Sequence, residues 1–290
     1  MRIETPDGDF LDLDQDGGEG PPDVLVLHGL GGSSSSGYVL ELLGQLRDRG
    51  LRGAALNFRS CSGEPNRTRR FYHAGATGDP RFVIRQLVER RGGRPVGAVG
   101  FSLGGNILLR LLEEEGTDAR RSVAAAVTVS VPFDLAAGAR RLDRLPGSLY
   151  GASFLRSLRD AVERKARTHG LDLPLEDARR ARTLREFDEA VTAPVHGFRS
   201  AADYYRRASA GPELHRIRTP ALVLQARDDP FLPAGAVPER ALASNPWITP
   251  ALPTTGGHVG FVEGPAPWKA SFWAERQAAR FLAVALASAP

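Results

Sequence analysis

The chain holds one cysteine, Cys61, one methionine, Met1, and two lysines, Lys165 and Lys269, in 290 residues. A single thiol excludes an intramolecular disulfide and a multi-thiolate metal site. No stretch approaches the roughly 20 apolar residues of a membrane span. The opening Met1-Arg2-Ile3-Glu4-Thr5-Pro6 lacks the apolar core of a signal peptide. Together these absences predict a cytoplasmic protein. With so little lysine, the basic side of the +4 net charge is nearly all arginine, which a bias toward arginine codons would also produce. Between Arg140 and Arg185 there are 12 basic and 6 acidic residues. The rest of the chain therefore carries a net −2, given the overall +4. That distribution does not suit a nucleic-acid binder, and no recognition motif for DNA or RNA is present.

Apolar residues make up 42% and charged residues 25%, which excludes disorder. The length suits one large domain, with room for an inserted lid. Val24–Leu27, Ala54–Phe58, Val96–Phe101, Val123–Val131 and Ala221–Leu224 are short apolar runs without polar alternation. Such runs fit central parallel strands covered on both faces. Val39, Leu42, Leu43 and Leu46 have the spacing of an amphipathic helix, which Gly50 can end in a left-handed conformation. Leu103–Leu112 is apolar nearly all round and predicts a buried helix. Strand and helix alternate, so the fold class is α/β with a mostly parallel sheet flanked by helices. Arg2–Thr5 and Asp9–Leu13, around a Pro-Asp-Gly turn, predict an antiparallel edge hairpin. From Asp134 to Ala210 the chain is helical, polar and arginine-rich, with Leu155, Leu158 and Val162 at helical spacing. The expected division is a core of residues 1–133 and 211–290 and a helical lid of residues 134–210.

The strongest chemical signal is Gly100-Phe101-Ser102-Leu103-Gly104, followed by Gly105, where an apolar strand meets a buried helix. In that setting G-x-S-x-G is a nucleophile elbow: the serine occupies a strained turn, and the glycines leave room for neighbouring backbone. The alternative is a glycine-rich turn with a capping serine. Serine needs a base, itself oriented by an acid. His258, in Thr254-Thr255-Gly256-Gly257-His258-Val259-Gly260, lies before the terminal helix and is the expected base. His169, His196 and His215 fall in or beside the helical insertion, and His28 is placed to shape a loop. The acid is expected after Ala221–Leu224, where Asp228 and Asp229 adjoin. Asp229, directly before Pro230 and four before Pro233, is preferred. Asp228 would then brace the turn, and Asp134 is a third candidate. Two N–H donors are needed for the oxyanion, each worth roughly 3–4 kcal/mol in the transition state. Leu103, next after the nucleophile, supplies one. His28-Gly29-Leu30-Gly31-Gly32 supplies the other, with Leu30 the choice. This loop is no phosphate cradle: it lacks the lysine of G-x-x-x-x-G-K-[ST], and Ser34 replaces the third glycine of G-x-G-x-x-G. Cys61 is expected as a packed residue rather than a reactive thiol. Trp247, Trp268 and Trp273 are expected to pack.

With these residues assembled, the chain resembles the YheT-like α/β-hydrolases, the alpha/beta hydrolase 4 family, over nearly its whole length. The resemblance rests on His28–Ser33, Asn57-Phe58-Arg59, Cys61–Asn66, Tyr72-His73, Gly100–Asn106 and Ser130–Asp134. It continues through Phe187-Asp188, Tyr204-Tyr205-Arg206, Asp228–Phe231 and Gly256–Phe261. It departs at Ser60, where relatives carry glycine, and at positions 76 and 78, where relatives carry acidic residues. The resemblance implies an α/β-hydrolase fold and a serine hydrolase acting on acyl esters. Eukaryotic members act on glycerolipids or make medium-chain esters.

The expected activity is carboxylic-ester hydrolysis by Ser102, His258 and Asp229, with no metal or organic cofactor and a small acyl ester as partner. The nearest alternative is an acyltransferase that passes the acyl group to an alcohol. A non-catalytic acyl-ligand-binding protein and a carbon–carbon bond hydrolase are more distant. The arginine surplus of the lid also predicts peripheral contact with anionic lipid surfaces or acidic esters, against the alternative of solvated helix faces.

Overall fold

The computed structural model describes residues 1–16, 18–144, 149–266 and 269–288. Its frame is a sheet of Arg2–Glu4 (β1), Phe10–Asp16 (β2), Val24–Leu27 (β3), Gly53–Asn57 (β4), Val96–Phe101 (β5), Val123–Val129 (β6), Ala221–Leu224 (β7) and Ile248–Ala251 (β8). The spatial order is β1-β2-β4-β3-β5-β6-β7-β8. From β4 to β8 every neighbouring pair is parallel. β1 and β2 form the expected antiparallel edge, with Ile3 opposite Leu11. β2 runs on to Asp16 because it also pairs with β4, Asp12 facing Asn57 and Asp16 facing Gly53.

The helices are Gly37–Arg47 (α1), Gly78–Arg90 (α2), Leu103–Glu115 (α3), Leu135–Arg144 (α4), Leu149–His169 (α5), Leu175–Arg180 (α6), Leu184–Phe187 (α7), Ala193–His196 (α8), Ala201–Ala208 (α9), Glu239–Ser244 (α10) and Trp273–Ala287 (α11). The period of two in a strand explains why the apolar runs are continuous. Val24, Val26, Ala55 and Val99 face one side, under Val39, Leu42 and Leu46 of α1 and Ala278 and Leu282 of α11. Leu25, Leu27, Leu56 and Ala98 face the other, under Val83 and Leu87 of α2 and Ile107 and Leu111 of α3. Both faces are covered, so neither tolerates polar alternation. Gly50 takes φ +73° just after α1, as expected.

Two strands differ from expectation for local reasons. β6 ends at Val129 instead of Val131, because Ser130 turns the chain at φ +56°. β8 is legible neither as an apolar run nor by alternation. It is a short edge strand containing Pro250, whose missing N–H is tolerated at an edge. Trp273 stacks on Phe261 with ring centroids 5.8 Å apart, and the Arg120 guanidinium covers Trp247. Trp268 lies outside the described residues.

Between β6 and β7 run α4 to α9 and a π-helical turn, Asp188–Thr192, with no strand among the described residues. This insertion has its own core of Leu155, Val162, Ala166, Leu173, Phe187 and Val191, and Leu158 packs against both it and the main core. Its two crossings meet where the Gly211 N–H donates to the Phe133 carbonyl at 3.0 Å. Buried Asn106 of α3 reinforces the junction. Its Nδ2 donates to the Ala74 and Ala208 carbonyls at 2.9 and 2.7 Å, and its Oδ1 accepts from the Ala210 N–H at 3.1 Å.

Glu275 stands apart in this frame: it is buried on α11, and neither carboxylate oxygen has a hydrogen-bond partner among the described residues. Burial pushes its pKa up to about 7, and Glu41 nearby adds to the rise. The folded state thus holds a proton that the unfolded chain has already lost, so this group costs nothing below its unfolded pKa. Its cost grows as pH rises toward 7 and is constant above. Glu275→Met is therefore expected to stabilise the fold, by about 2 kcal/mol more at about pH 8 than at about pH 5. Urea denaturation at the two pH values measures the difference, and an equal gain at both would refute an origin in the buried carboxyl's titration.

Candidate active site

The turn from β5 into α3 is built on backbone contact. Ser102 sits at φ +50° and ψ −118°, a conformation that L-residues rarely adopt. A Cβ at Gly100 would lie 2.5 Å from the Gly104 carbonyl oxygen, and one at Gly104 would lie 2.5 Å from the His28 carbonyl oxygen. At Gly105 it would meet the Val131 side chain at 2.9 Å. Strand, turn and helix can approach this closely only because all three residues are glycine. The strain at Ser102 is held by the ladder on one side, where its N–H donates to the Val129 carbonyl at 2.8 Å, and by α3 on the other.

The structure brings Ser102, His258 and Asp229 together across 156 residues of sequence. Ser102 Oγ is 2.9 Å from His258 Nε2. His258 Nδ1 is 2.9 Å and 3.1 Å from the two carboxylate oxygens of Asp229. Asp229 is buried behind β7 and accepts from Gln225 Nε2 and the Phe231 N–H, each at 2.9 Å. A carboxylate bonded this way can only accept from Nδ1–H, which leaves the Nε2 lone pair facing the serine hydroxyl. The Phe231 ring lies 4.2 Å from the imidazole. Val259 and Phe261 take positive φ, +60° and +43°, to turn His258 toward the sheet. Ser130 Oγ at the end of β6 accepts from the Val259 N–H at 3.1 Å. Asp228 does not reach the imidazole; it accepts from the Gly257 N–H at 2.8 Å and so braces the loop. Asp134 accepts from the Ala137 N–H at 2.9 Å at the start of α4.

The loop after β3 can be accounted for one N–H at a time. Gly29 donates to the Tyr38 hydroxyl and Gly31 to the Tyr72 hydroxyl, each at 2.9 Å. Gly32 donates to the Gly29 carbonyl, Ser33 to Ser36 Oγ, Ser34 to Asn57 Oδ1, Ser35 to Ser33 Oγ and Ser36 to the Ser33 carbonyl. Leu30 N–H alone has no acceptor among the described residues. Leu103 opens α3, where the first N–H groups have no intrahelical partner. Both residues line the cavity that exposes Ser102 and His258. His28 is buried, and burial drives its pKa down to about 4. Its neutral ring donates from Nδ1 to the Gly29 carbonyl at 2.7 Å and accepts at Nε2 from the Phe58 N–H at 3.1 Å. It shapes the loop without titrating.

The remaining histidines make no bond to this arrangement, although His73 lines the cavity over Ser102. His169 bonds the Pro65 carbonyl, and His215 is exposed. His196 packs on His73 with centroids 4.5 Å apart, and burial holds both neutral, at about 3 and about 4. The Cys61 thiol is pushed up to about 12 by burial, the behaviour of a packed residue. Ser60 takes φ +66°, which explains why glycine suits that position, and its hydroxyl accepts from the Asn66 N–H at 3.3 Å. Among the described residues no group of three or more His, Cys, Asp or Glu could hold a metal ion.

The cavity over Ser102 measures about 120 Å³. Leu135, Leu142, Phe154, Leu158 and Leu232 make it apolar, and α4, α5 and α7 supply much of its wall. Its polar side carries Asp188, Thr192 and Tyr205, with Asp188 accepting from the Thr192 and Tyr205 hydroxyls at 2.6 Å each. Burial raises the Asp188 pKa to about 6. Tyr38, Tyr72, Ser130 and the Asp188 cluster were not read from the sequence as parts of the site. Tyr72, Ser130, Asp188 and Tyr205 did fall in runs that carry the family resemblance, without a role attached.

No helix of the described residues is long and apolar enough to cross a membrane. A family model described as the alpha/beta hydrolase fold matches residues 22–265. The chain is 41% identical to the YheT protein of Escherichia coli (strain K12) over 272 residues, 91% of this chain and 78% of that one. It is 32% identical to phospholipase ABHD3 of Mus musculus, covering 87% of this chain and 61% of the other. It is also 32% identical to monoacylglycerol lipase of Saccharomyces cerevisiae, covering 89% and 58%. The chain thus spans about three fifths of the mouse and yeast relatives. Among solved structures, the Pyrococcus furiosus esterase Pf2001 superposes with a TM-score of 0.63 at 16% identity, over 100% of this chain and 90% of that one, a likeness of fold alone. The matched model and the 41% identity to YheT together place this chain in the α/β-hydrolase fold family, in its YheT-like group.

Proposed function

We propose that the protein is a serine hydrolase of carboxylic esters with acyl or lipid-like chains, and that residues 134–210 form the lid over its site. The observation that supports this most is the unbroken hydrogen-bond line from Ser102 Oγ through His258 to Asp229, opening into an apolar cavity. Ser102 Oγ attacks the acyl carbonyl while His258 Nε2 takes its proton. Asp229 keeps Nδ1 protonated and stabilises the imidazolium. The carbonyl oxygen becomes an oxyanion received by the Leu30 and Leu103 N–H groups. The imidazolium returns the proton to the departing alcohol, leaving an acyl-Ser102. A water, deprotonated by His258, then attacks this ester, and collapse of the second tetrahedral intermediate releases the acid and restores the serine. The lid's arginine surplus suits acidic ester head groups or an anionic lipid surface.

A cavity of about 120 Å³ is below the roughly 300–1,000 Å³ of most drug-sized ligand pockets. It suits a short or medium acyl chain. With p-nitrophenyl esters, kcat/KM is expected to be higher for butyrate and octanoate than for palmitate. A fluorophosphonate probe is expected to label the folded protein at Ser102. Absence of both turnover and labelling would return the reading to a non-catalytic acyl-binding protein. Adding a medium-chain alcohol and measuring ester against free acid separates hydrolysis from acyl transfer.

A further inference from the structure

The orphan N–H of Leu30 is flanked on both sides by peptide groups that a phenol holds. Gly29 N–H donates to the Tyr38 hydroxyl and Gly31 N–H to the Tyr72 hydroxyl, each at 2.9 Å. The two tyrosines come from unrelated parts of the chain. Tyr38 lies in α1, and its ring is tilted against Phe101, the residue before the nucleophile, with centroids 4.7 Å apart. Tyr72 stacks on Phe58, which follows β4, with centroids 5.2 Å apart and planes within 9°. Its side chain also lines the cavity over Ser102. Phe58 in turn fixes His28 through its N–H, and His28 fixes the Gly29 carbonyl.

The loop needs such supports because its sequence supplies few of its own. Gly29, Gly31 and Gly32 surround Leu30, and glycine backbone is the least restricted. Space is tight as well: a Cβ at Gly32 would lie 2.7 Å from the Tyr38 hydroxyl, and one at Gly29 would lie 3.2 Å from Ser102 Cβ. The Tyr38 hydroxyl therefore sits inside the bend of the loop. Burial raises the pKa of both phenols, so they stay neutral and able to accept.

We propose that Tyr38 and Tyr72 are positioning residues of the oxyanion hole: their hydroxyls hold the Gly29 and Gly31 N–H groups, in the peptides on either side of the one that carries the Leu30 N–H, and so aim that N–H at the reacting carbonyl. The inference rests on the hydrolase reading above. Neither tyrosine touches the reacting atoms; each acts through the backbone. An oxyanion donor is effective only if it is oriented before charge develops, because reorientation during the reaction forfeits the gain. A glycine-rich loop released at one end would spread Leu30 over several directions.

The test uses Tyr38→Phe, Tyr72→Phe and the double variant of the full chain, which keep the rings and remove the hydroxyls. Losing a donor outright costs about 10²–10³ in kcat. Losing one support of a donor is expected to lower kcat about tenfold, and losing both about a hundredfold, with KM changed less than about twofold. A trifluoromethyl ketone analogue of the best ester, which forms an oxyanion on Ser102, is expected to lose affinity in step with kcat. The corresponding methyl ketone, scored as a reversible competitive ligand, is expected to bind as before. A role confined to structure would move the melting temperature, or both ligands together. Should kcat and ketone affinity of both single variants match the wild type, or should the two ligands weaken equally, the positioning role is wrong. Should either single variant fail to fold, the other decides. The wild type and Ser102→Ala run alongside: an inactive wild type, or an active Ser102→Ala, condemns the hydrolase reading itself, whereas active wild type, inactive Ser102→Ala and unaffected tyrosine variants condemn only this inference.

Discussion

Ser102→Ala is expected to lower kcat on a p-nitrophenyl ester by on the order of 10⁶-fold, and His258→Ala by a similar factor. The two effects should coincide rather than multiply, because both residues serve one proton transfer. Without the serine the imidazole has no hydroxyl to activate, and without the imidazole the hydroxyl stays protonated. The double variant should therefore be no slower than either single one. The residual rate would come from the Leu30 and Leu103 N–H groups and from binding, which survive both changes. Neither substitution should cost the fold more than about 1 kcal/mol in net hydrogen bonding, since Ser102 and His258 meet at a cavity wall rather than inside the core. Relief of the strained φ at Ser102 is not expected, because alanine must adopt the same angle. Turnover by both purified variants within about tenfold of wild type would remove these residues from the reaction.

The sequence makes the turn at Ser102 legible because the residues that must be small stand together in the chain. Gly100 clears the Gly104 carbonyl, Gly104 the His28 carbonyl and Gly105 the Val131 side chain, and because all three clearances fall on residues close to Ser102 the demand shows in the chain as spacing. The apolar runs of β3, β5, β6 and β7 are legible because burial on both faces leaves almost no polar residue in them, Thr128 of β6 being the exception. β8 escaped because an edge strand is under weaker constraint, and Pro250 can occupy it without breaking a ladder. The expectation that the Asp134–Ala210 stretch is helical rests on a change of period and charge. The role of the phenols that hold the Leu30 loop was not legible in the sequence: Tyr38 and Tyr72 act on Gly29 and Gly31 from 9 and 41 residues away. The same holds for Ser130, whose hydroxyl bonds the loop of His258 from 129 residues back. Support of a loop by a distant side chain leaves no pattern in a single sequence.

Asp229→Asn should separate the adjacent carboxylates that spacing alone could only rank. The amide has one acceptor oxygen where the carboxylate has two, so it can keep the bond from Gln225 Nε2 or that from the Phe231 N–H but not both. Turned toward His258, the NH₂ donates to Nδ1 and forces the proton onto Nε2. That tautomer cannot accept the serine proton, so kcat is expected to fall by about 10⁴-fold. The alternative orientation leaves Nδ1–H and Gln225 bonded to the oxygen but aims NH₂ at the Phe231 N–H, which then loses its acceptor in a buried site. Asp228→Asn is a different change. Its Oδ1 holds only the Gly257 N–H, which an asparagine oxygen also accepts, so turnover is expected to stay within about threefold of wild type. Raising the pH should not rescue Asp229→Asn, because its defect is a proton on the wrong imidazole nitrogen. The kcat values of the two purified variants on one ester decide the matter. A large loss in Asp228→Asn with little in Asp229→Asn would reverse the assignment of the relay acid, and near-equal losses would place the requirement in the loop rather than in either carboxylate.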